Sequence, residues 1–164
     1  MTMIKKRLFR NVAVGGTFDE LHKGHRALLS KAFEVGDYVF IGLTSDDFVS
    51  ELHKSHKIAP YSERLANLHY FLDTSNFENR CEISPLYTSY GLTLSRTDLD
   101  ALIVSQESVK IVEAINKKRI QTGLNPLNIV EIALIPAENQ IPISTTRIHA
   151  KEIDKEGHLL NHET

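Results

Sequence analysis

The strongest constraint on the fold is a series of short, wholly apolar runs, each followed by a segment with helical spacing. Asn11-Val12-Ala13-Val14 reads as a first strand, and a helix follows over about Gly24 to Val35 with Leu21, Leu28, Ala32 and Val35 on one stripe. Asp37 to Leu43 is a second strand, and Thr44-Ser45-Asp46 then caps a short helix through Val49. Pro60 opens another helix whose apolar face is Tyr61, Leu65, Leu68 and Leu72. Arg80 to Ser84 is strand three, with Pro85 past its end, and Leu102-Ile103-Val104 is strand four. Ser105 caps a long helix with Val109, Val112 and Ile115 inward, stopped by Gly123 and Pro126. Asn128 to Ile135 is strand five, and a last helix begins near Ser144. Strands that are apolar on both faces, alternating with helices, predict an α/β fold: a five-stranded parallel sheet with helices on both faces. Without a linker or repeat, residues 1–164 read as a single domain.

Ligands of such folds bind beyond the carboxyl ends of the strands, so the loops after Val14, Leu43, Ile83, Val104 and Ile135 matter most. A formal net charge of -2 gives no footprint for bulk nucleic acid, yet leaves room for a local anion pocket. The single cysteine, Cys81, cannot form an internal disulfide and reads as a buried structural thiol in a reducing, cytoplasmic setting. The basic segment Met1 to Arg10 lacks a following apolar stretch, so neither a signal peptide nor a membrane span is expected.

The first of these loops carries the richest chemistry: Gly15-Gly16-Thr17-Phe18-Asp19-Glu20-Leu21-His22-Lys23-Gly24-His25. Two glycines permit a tight turn and close approach of backbone to ligand. Thr17 offers a hydroxyl and an amide. His22 and His25 lie three residues apart where a helix begins, so their rings share a side, with Gly24 leaving space for a ligand. Unpaired amides and the positive end of the helix dipole favour phosphate, and the imidazoles add donors. A second anion site is expected at Ile143-Ser144-Thr145-Thr146-Arg147-Ile148, where hydroxyls and a guanidinium stand at another helix start. A Ser/Thr run before a helix also reads simply as a cap.

GGTFDELHKGH resembles the GTFDxxHxGH signature of the HxGH nucleotidyltransferase superfamily, whose members have a Rossmann-like fold. ISTTRI is similar to its C-terminal ISSTxIR/ISTT signature, which contacts the triphosphate. Further runs resemble the archaeal and eukaryotic type of phosphopantetheine adenylyltransferase: Gly42-Leu43-Thr44-Ser45-Asp46, Lys54, Lys57, Pro60-Tyr61-Ser62-Glu63-Arg64, Val104-Ser105-Gln106-Glu107-Ser108, Asn116 and Gly123-Leu124-Asn125-Pro126-Leu127. The resemblance runs from about Arg10 to Glu156. Two departures stand out: Gln106 replaces the first acid of the family's SEE run, and His149 the second basic residue of ISSTRI-R.

The resemblance implies an enzyme of coenzyme A synthesis that transfers adenylyl from ATP to 4′-phosphopantetheine, giving dephospho-coenzyme A and pyrophosphate. It implies ATP contacts from Gly16, Thr17, Phe18, His22, Gly24, His25, Ser144, Thr145, Thr146 and Arg147. His25 is assigned to the α/β-phosphate region, His22 to the triphosphate beside it, and Thr17 to the reacting phosphates. Lys57, with Lys54 as competitor, draws the acceptor phosphate close; a solvated basic loop is the other reading of that run. Tyr90, within Tyr87 to Thr93, either shapes the pantetheine site or belongs to a helix-entry loop. Glu107 either positions adenine or favours the helix dipole. Mg²⁺ is expected with ATP, held more by phosphates than by protein, and Asp19 either touches it or orients the loop. His53, His56, His69, His149, His158 and His162 are expected at the surface. The competing readings are NMN adenylyltransferase, FAD synthetase, glycerol-phosphate cytidylyltransferase, or a nucleotide sensor without catalysis.

Overall fold

A computed structural model describes residues 6–52 and 57–160. Lys54, His53, His56 and His162 lie outside the described residues. Five strands form one sheet: β1 (Phe9–Gly16), β2 (Gly36–Thr44), β3 (Cys81–Leu86), β4 (Ala101–Ser105) and β5 (Asn128–Ile132). The helices are α1 (Lys23–Val35), α2 (Asp46–Glu51), α3 (Tyr61–Thr74), α4 (Val109–Gln121) and α5 (Thr145–His149). All strand pairs are parallel, in the order β3-β2-β1-β4-β5. The chain therefore winds outward from β1 in one direction and from β4 in the other. The crevice between those two strands, at their carboxyl ends, is where such a sheet receives ligands.

Each strand's side chains alternate between two cores, as strand geometry demands. Val12, Val14, Val39, Ile41 and Ile103 pack under α1 and α3, against Leu29, Ala32, Phe33, Leu68 and Leu72. Ala13, Phe40, Leu102 and Val104 face the opposite way, against Val112 and Ile115 of α4. The expected helices on both faces are thus present. Among the described residues, no helix is long and apolar enough to cross a membrane.

Several boundaries differ from expectation for local reasons. Strand three starts at Cys81 and includes Pro85, because β3 is a sheet edge and Pro there need not donate to a ladder. Arg80 ends a 3₁₀ turn, where its guanidinium binds the carbonyls of Phe33 and Gly36, each at 3.1 Å. Ser105 makes no side-chain cap; a 3₁₀ turn over Gln106–Ser108 intervenes and α4 begins at Val109. Strand five stops at Ile132, three residues early. Cys81 is half-buried rather than buried, and desolvation raises its pKa, which keeps it a thiol. Ser45 does cap α2, its hydroxyl accepting the Phe48 amide at 3.1 Å.

Leu29, fully buried on the inner face of α1, tests this packing. Leu29→Ala is expected to cost about 2–5 kcal/mol, seen as a lower urea midpoint with an unchanged slope.

Candidate active site

The first loop is shaped by strained residues, not by its glycines. Gly15 and Gly16 end β1 in register with Gly42 and Leu43 of β2. The reversal falls on Phe18, Glu20 and Leu21, with φ of 50°, 64° and 33°. Three left-handed residues among four positions cost energy, and the surroundings must hold them in place. Phe18 is buried, its ring edge-on to His25 with centroids 5.4 Å apart.

The loop delivers two imidazoles that cap one another's helix start. His22 Nδ1 accepts the amides of Gly24 (3.0 Å) and His25 (3.3 Å), while His25 Nδ1 accepts the amide of His22 (3.3 Å). The rings stack 3.6 Å apart at 18°. Gly24 serves this stack rather than a ligand: a Cβ there would meet His22 Cε1 at 2.9 Å. With each Nδ1 accepting from the backbone, the remaining ring proton sits on Nε2, so each histidine keeps one Nε2–H donor. Both rings are neutral near pH 7. Burial, helped by the Arg26 charge, lowers the His22 pKa to about 4. Burial, then His22 and Arg26, lowers that of His25 to about 3.

Beside His25 opens a cavity of about 1140 Å³ at the carboxyl ends of β1, β2 and β4. Gly16, Phe18 and His25 line one side, and Thr44, Tyr90 and Glu107 stand around the rest. Thr17 does not line the cavity, but its hydroxyl lies 3.5 Å from that of Thr44, which does. Tyr90 lies under the Lys118 ammonium, 4.7 Å from the ring centroid. His22 lies behind His25 and does not line the cavity. Lys57 is exposed.

The C-terminal run touches the first loop but is absent from the cavity lining. The Thr145 hydroxyl meets the Asp19 carbonyl at 3.4 Å. Ser144 acts as a cap, accepting the Arg147 amide at 3.2 Å. The Arg147 guanidinium is spent on its own loop: on Glu152 at 2.9 Å, on the carbonyls of Ile141 and Pro142 at 3.0 Å, and on Asn139. Thr145 therefore reaches the first loop, while the polar groups of Ser144 and Arg147 bond within the short α5 and the turn before it. Thr146 is exposed.

Two connections were illegible in the sequence. Asp19 is buried and joins three segments: Oδ1 accepts the Ala59 amide at 3.2 Å and Oδ2 meets His149 Nε2 at 2.9 Å. His149, expected at the surface, is half-buried and tied to the first loop; it also lies 3.5 Å from Glu20. His69 and His158 are exposed, as expected. The other connection is Arg64, a buried cation inside α3. Only an amphipathic reading that tolerated a charged residue between Tyr61 and Leu68 would have placed it inward.

Comparison with known proteins agrees with this architecture. The cytidylyltransferase-like family model matches residues 13–151. The chain is 42% identical over 158 residues to the phosphopantetheine adenylyltransferase of Pyrococcus furiosus, covering 96% of this chain and 98% of that one. A protein of unknown function from Archaeoglobus fulgidus has a similar solved structure, with TM-score 0.67 and 32% identity over 74% of this chain and 88% of that one. Tyrosyl-tRNA synthetase from the same organism shares the fold alone, with TM-score 0.57 and 12% identity over 87% and 61% of the two chains.

The neutral histidine pair sets the sign of one pH effect. Below pH 6.5 the unfolded chain protonates its histidines, while the native pair resists until about pH 4 and 3. The unfolded state then binds more protons, so stability falls as pH drops through that window. The urea midpoint of the wild type should be lower at pH 5.0 than at pH 7.5, and the drop should be smaller for His22→Asn.

Proposed function

The chain belongs to the phosphopantetheine adenylyltransferase family of cytidylyltransferase-like proteins, and from that membership we propose that it transfers the adenylyl group of ATP to 4′-phosphopantetheine. The products are dephospho-coenzyme A and pyrophosphate, which places the chain in coenzyme A synthesis. The observation that carries the proposal is the stacked His22–His25 pair, opening beside the cavity at the β1/β4 switch point.

The acceptor is a phosphate monoester with a second pKa of about 6, already largely a dianion at neutral pH. One of its oxygens bonds to the α-phosphorus of ATP, and the bond from that phosphorus to the β-phosphate bridging oxygen breaks. The departing electron pair stays with pyrophosphate, so no general base is needed. The protein's task is alignment and charge stabilisation.

In this reading His25 donates Nε2–H to the α-phosphate as negative charge grows there. A neutral donor suits that role, because it does not depend on capturing a proton. His22 stiffens His25 from behind and supports the triphosphate. Gly16, Thr17 and Phe18 form the phosphate-facing turn, and Gly24 makes room for the His22 ring behind it. Thr145 and Thr146 extend it, while Ser144 and Arg147 hold their own loop in shape. Lys57 draws in the acceptor phosphate, and Tyr90 bounds the pantetheine arm.

Mg²⁺ accompanies ATP in this reading. Among the described residues, Asp19, Glu20 and His149 bring ligating atoms within 4.8 Å of one another. Both Asp19 oxygens are already engaged, and a ring nitrogen suits Mg²⁺ poorly, since that ion prefers six oxygens. The set does not make a Mg²⁺ cage, so the phosphates hold the ion.

Two measurements test the proposal. Pyrophosphate release should be fastest with ATP and 4′-phosphopantetheine; faster turnover with CTP, or with nicotinamide mononucleotide, flavin mononucleotide or glycerol phosphate as acceptor, refutes it. His25→Ala should lower kcat by about 100-fold or more while changing ATP affinity far less. Equal losses in both would contradict the role given to His25.

A further inference from the structure

Arg64 is among the least exposed side chains of the protein, with 1% of its side chain accessible. A guanidinium stays charged, so burying it requires strong compensation. That compensation is mostly backbone. Nη1 donates to the carbonyls of Thr17 at 3.0 Å and Thr44 at 2.7 Å, and Nε to the carbonyl of Ala59 at 2.8 Å. Nη2 reaches Asp46 Oδ1 at 3.1 Å, but that carboxylate is 62% exposed and also accepts the Tyr61 amide.

The choice of carbonyls is informative. Thr44 ends β2 and lines the cavity, and Thr17 follows the last residue of β1, its hydroxyl 3.5 Å from that of Thr44. One guanidinium therefore holds the backbone of both threonines from below. Its third carbonyl belongs to Ala59, whose amide is bound by Asp19 of the first loop. Core packing alone calls for none of this, since Leu65, Leu68 and Leu72 already carry the apolar face of α3.

We propose that Arg64 is a positioning residue for the transfer reaction, setting the rotational position of Thr17 so that its hydroxyl meets the reacting phosphates. The inference rests on the nucleotidyl-transfer reading. A lysine at this position keeps the charge but has no planar fork, so it cannot span the same carbonyls.

The test is a double-mutant cycle of R64K and T17A, with kcat and the ATP KM measured for each variant and folding followed by thermal melting. If Arg64 acts through Thr17, R64K lowers kcat about tenfold or more with an ATP KM within about threefold of wild type. In the T17A background the same substitution then costs less than about twofold. Wild-type kcat in folded R64K, or the same loss in both backgrounds, overturns the proposal; the second result is what a merely structural arginine gives. Should R64K not fold, the cycle is run with D46N, which leaves an acceptor for the Tyr61 amide but weakens the hold on Nη2. An equal loss in both backgrounds, or no loss, is again fatal. The underlying reading fails separately, if the wild-type chain releases no pyrophosphate with 4′-phosphopantetheine. If another acceptor supports turnover, the cycle is run with that acceptor and Arg64 is still decided; if none does, both fall.

Discussion

The candidate site is built outward from the first turn of α1, where two imidazoles satisfy backbone amides with one nitrogen each. A helix start leaves donors without partners, and a side-chain cap at such a place contributes about 1 kcal/mol. Here the cap also orients two ring donors. Because Nδ1 of each ring is tied to the backbone, tautomer and ring plane are set before any ligand arrives. Burial of the stacked pair then keeps both rings uncharged near pH 7. One local arrangement thus determines where the helix begins, where the rings point and which atom can donate.

This coupling explains the strained approach to the helix. Phe18, Glu20 and Leu21 take left-handed backbone conformations that larger side chains avoid. They persist because the loop is held at several points: Asp19 by Ala59 and His149, Lys23 by the carbonyl of Lys155 at 2.8 Å, and Arg26 by the carbonyl of Leu21 at 3.2 Å. Residues remote in sequence over-determine a loop whose own preferences oppose its shape. Such investment is characteristic of sites that must be rigid before they bind.

The sheet and the first motif were legible because both rest on local signals. Apolar runs such as Leu102-Ile103-Val104 have few other uses, and histidines at i and i+3 beside a helix start have a definite geometry. The long-range partners were not. Nothing in ISTTRIH says that Arg147 will spend its donors on Ile141, Pro142, Asn139 and Glu152, or that His149 will cross to Asp19. Arg64 was hidden for a different reason. Sequence reading takes arginine as a surface residue, and its burial becomes sensible only once three carbonyls converge around it. Gly24 was legible as special but for the wrong partner, since the occupant of its space is the His22 ring.

A protein with a formal charge of -2 must still attract two polyanionic reactants, and the distribution of charge shows how. The helices near the cavity differ at their first turns. α2 begins with Asp46 and Asp47 and α3 carries Glu63, each neutralising its own dipole, whereas α1 has no acidic residue in its first turn. Its positive end is left for a ligand, flanked by neutral donors and with a buried guanidinium on the far side of the Thr17 carbonyl. Both imidazoles stay uncharged near pH 7. The arrangement gives an anion a fixed attractive field, in place before any ligand arrives, because it is built from backbone amides and tied rings rather than from mobile side chains.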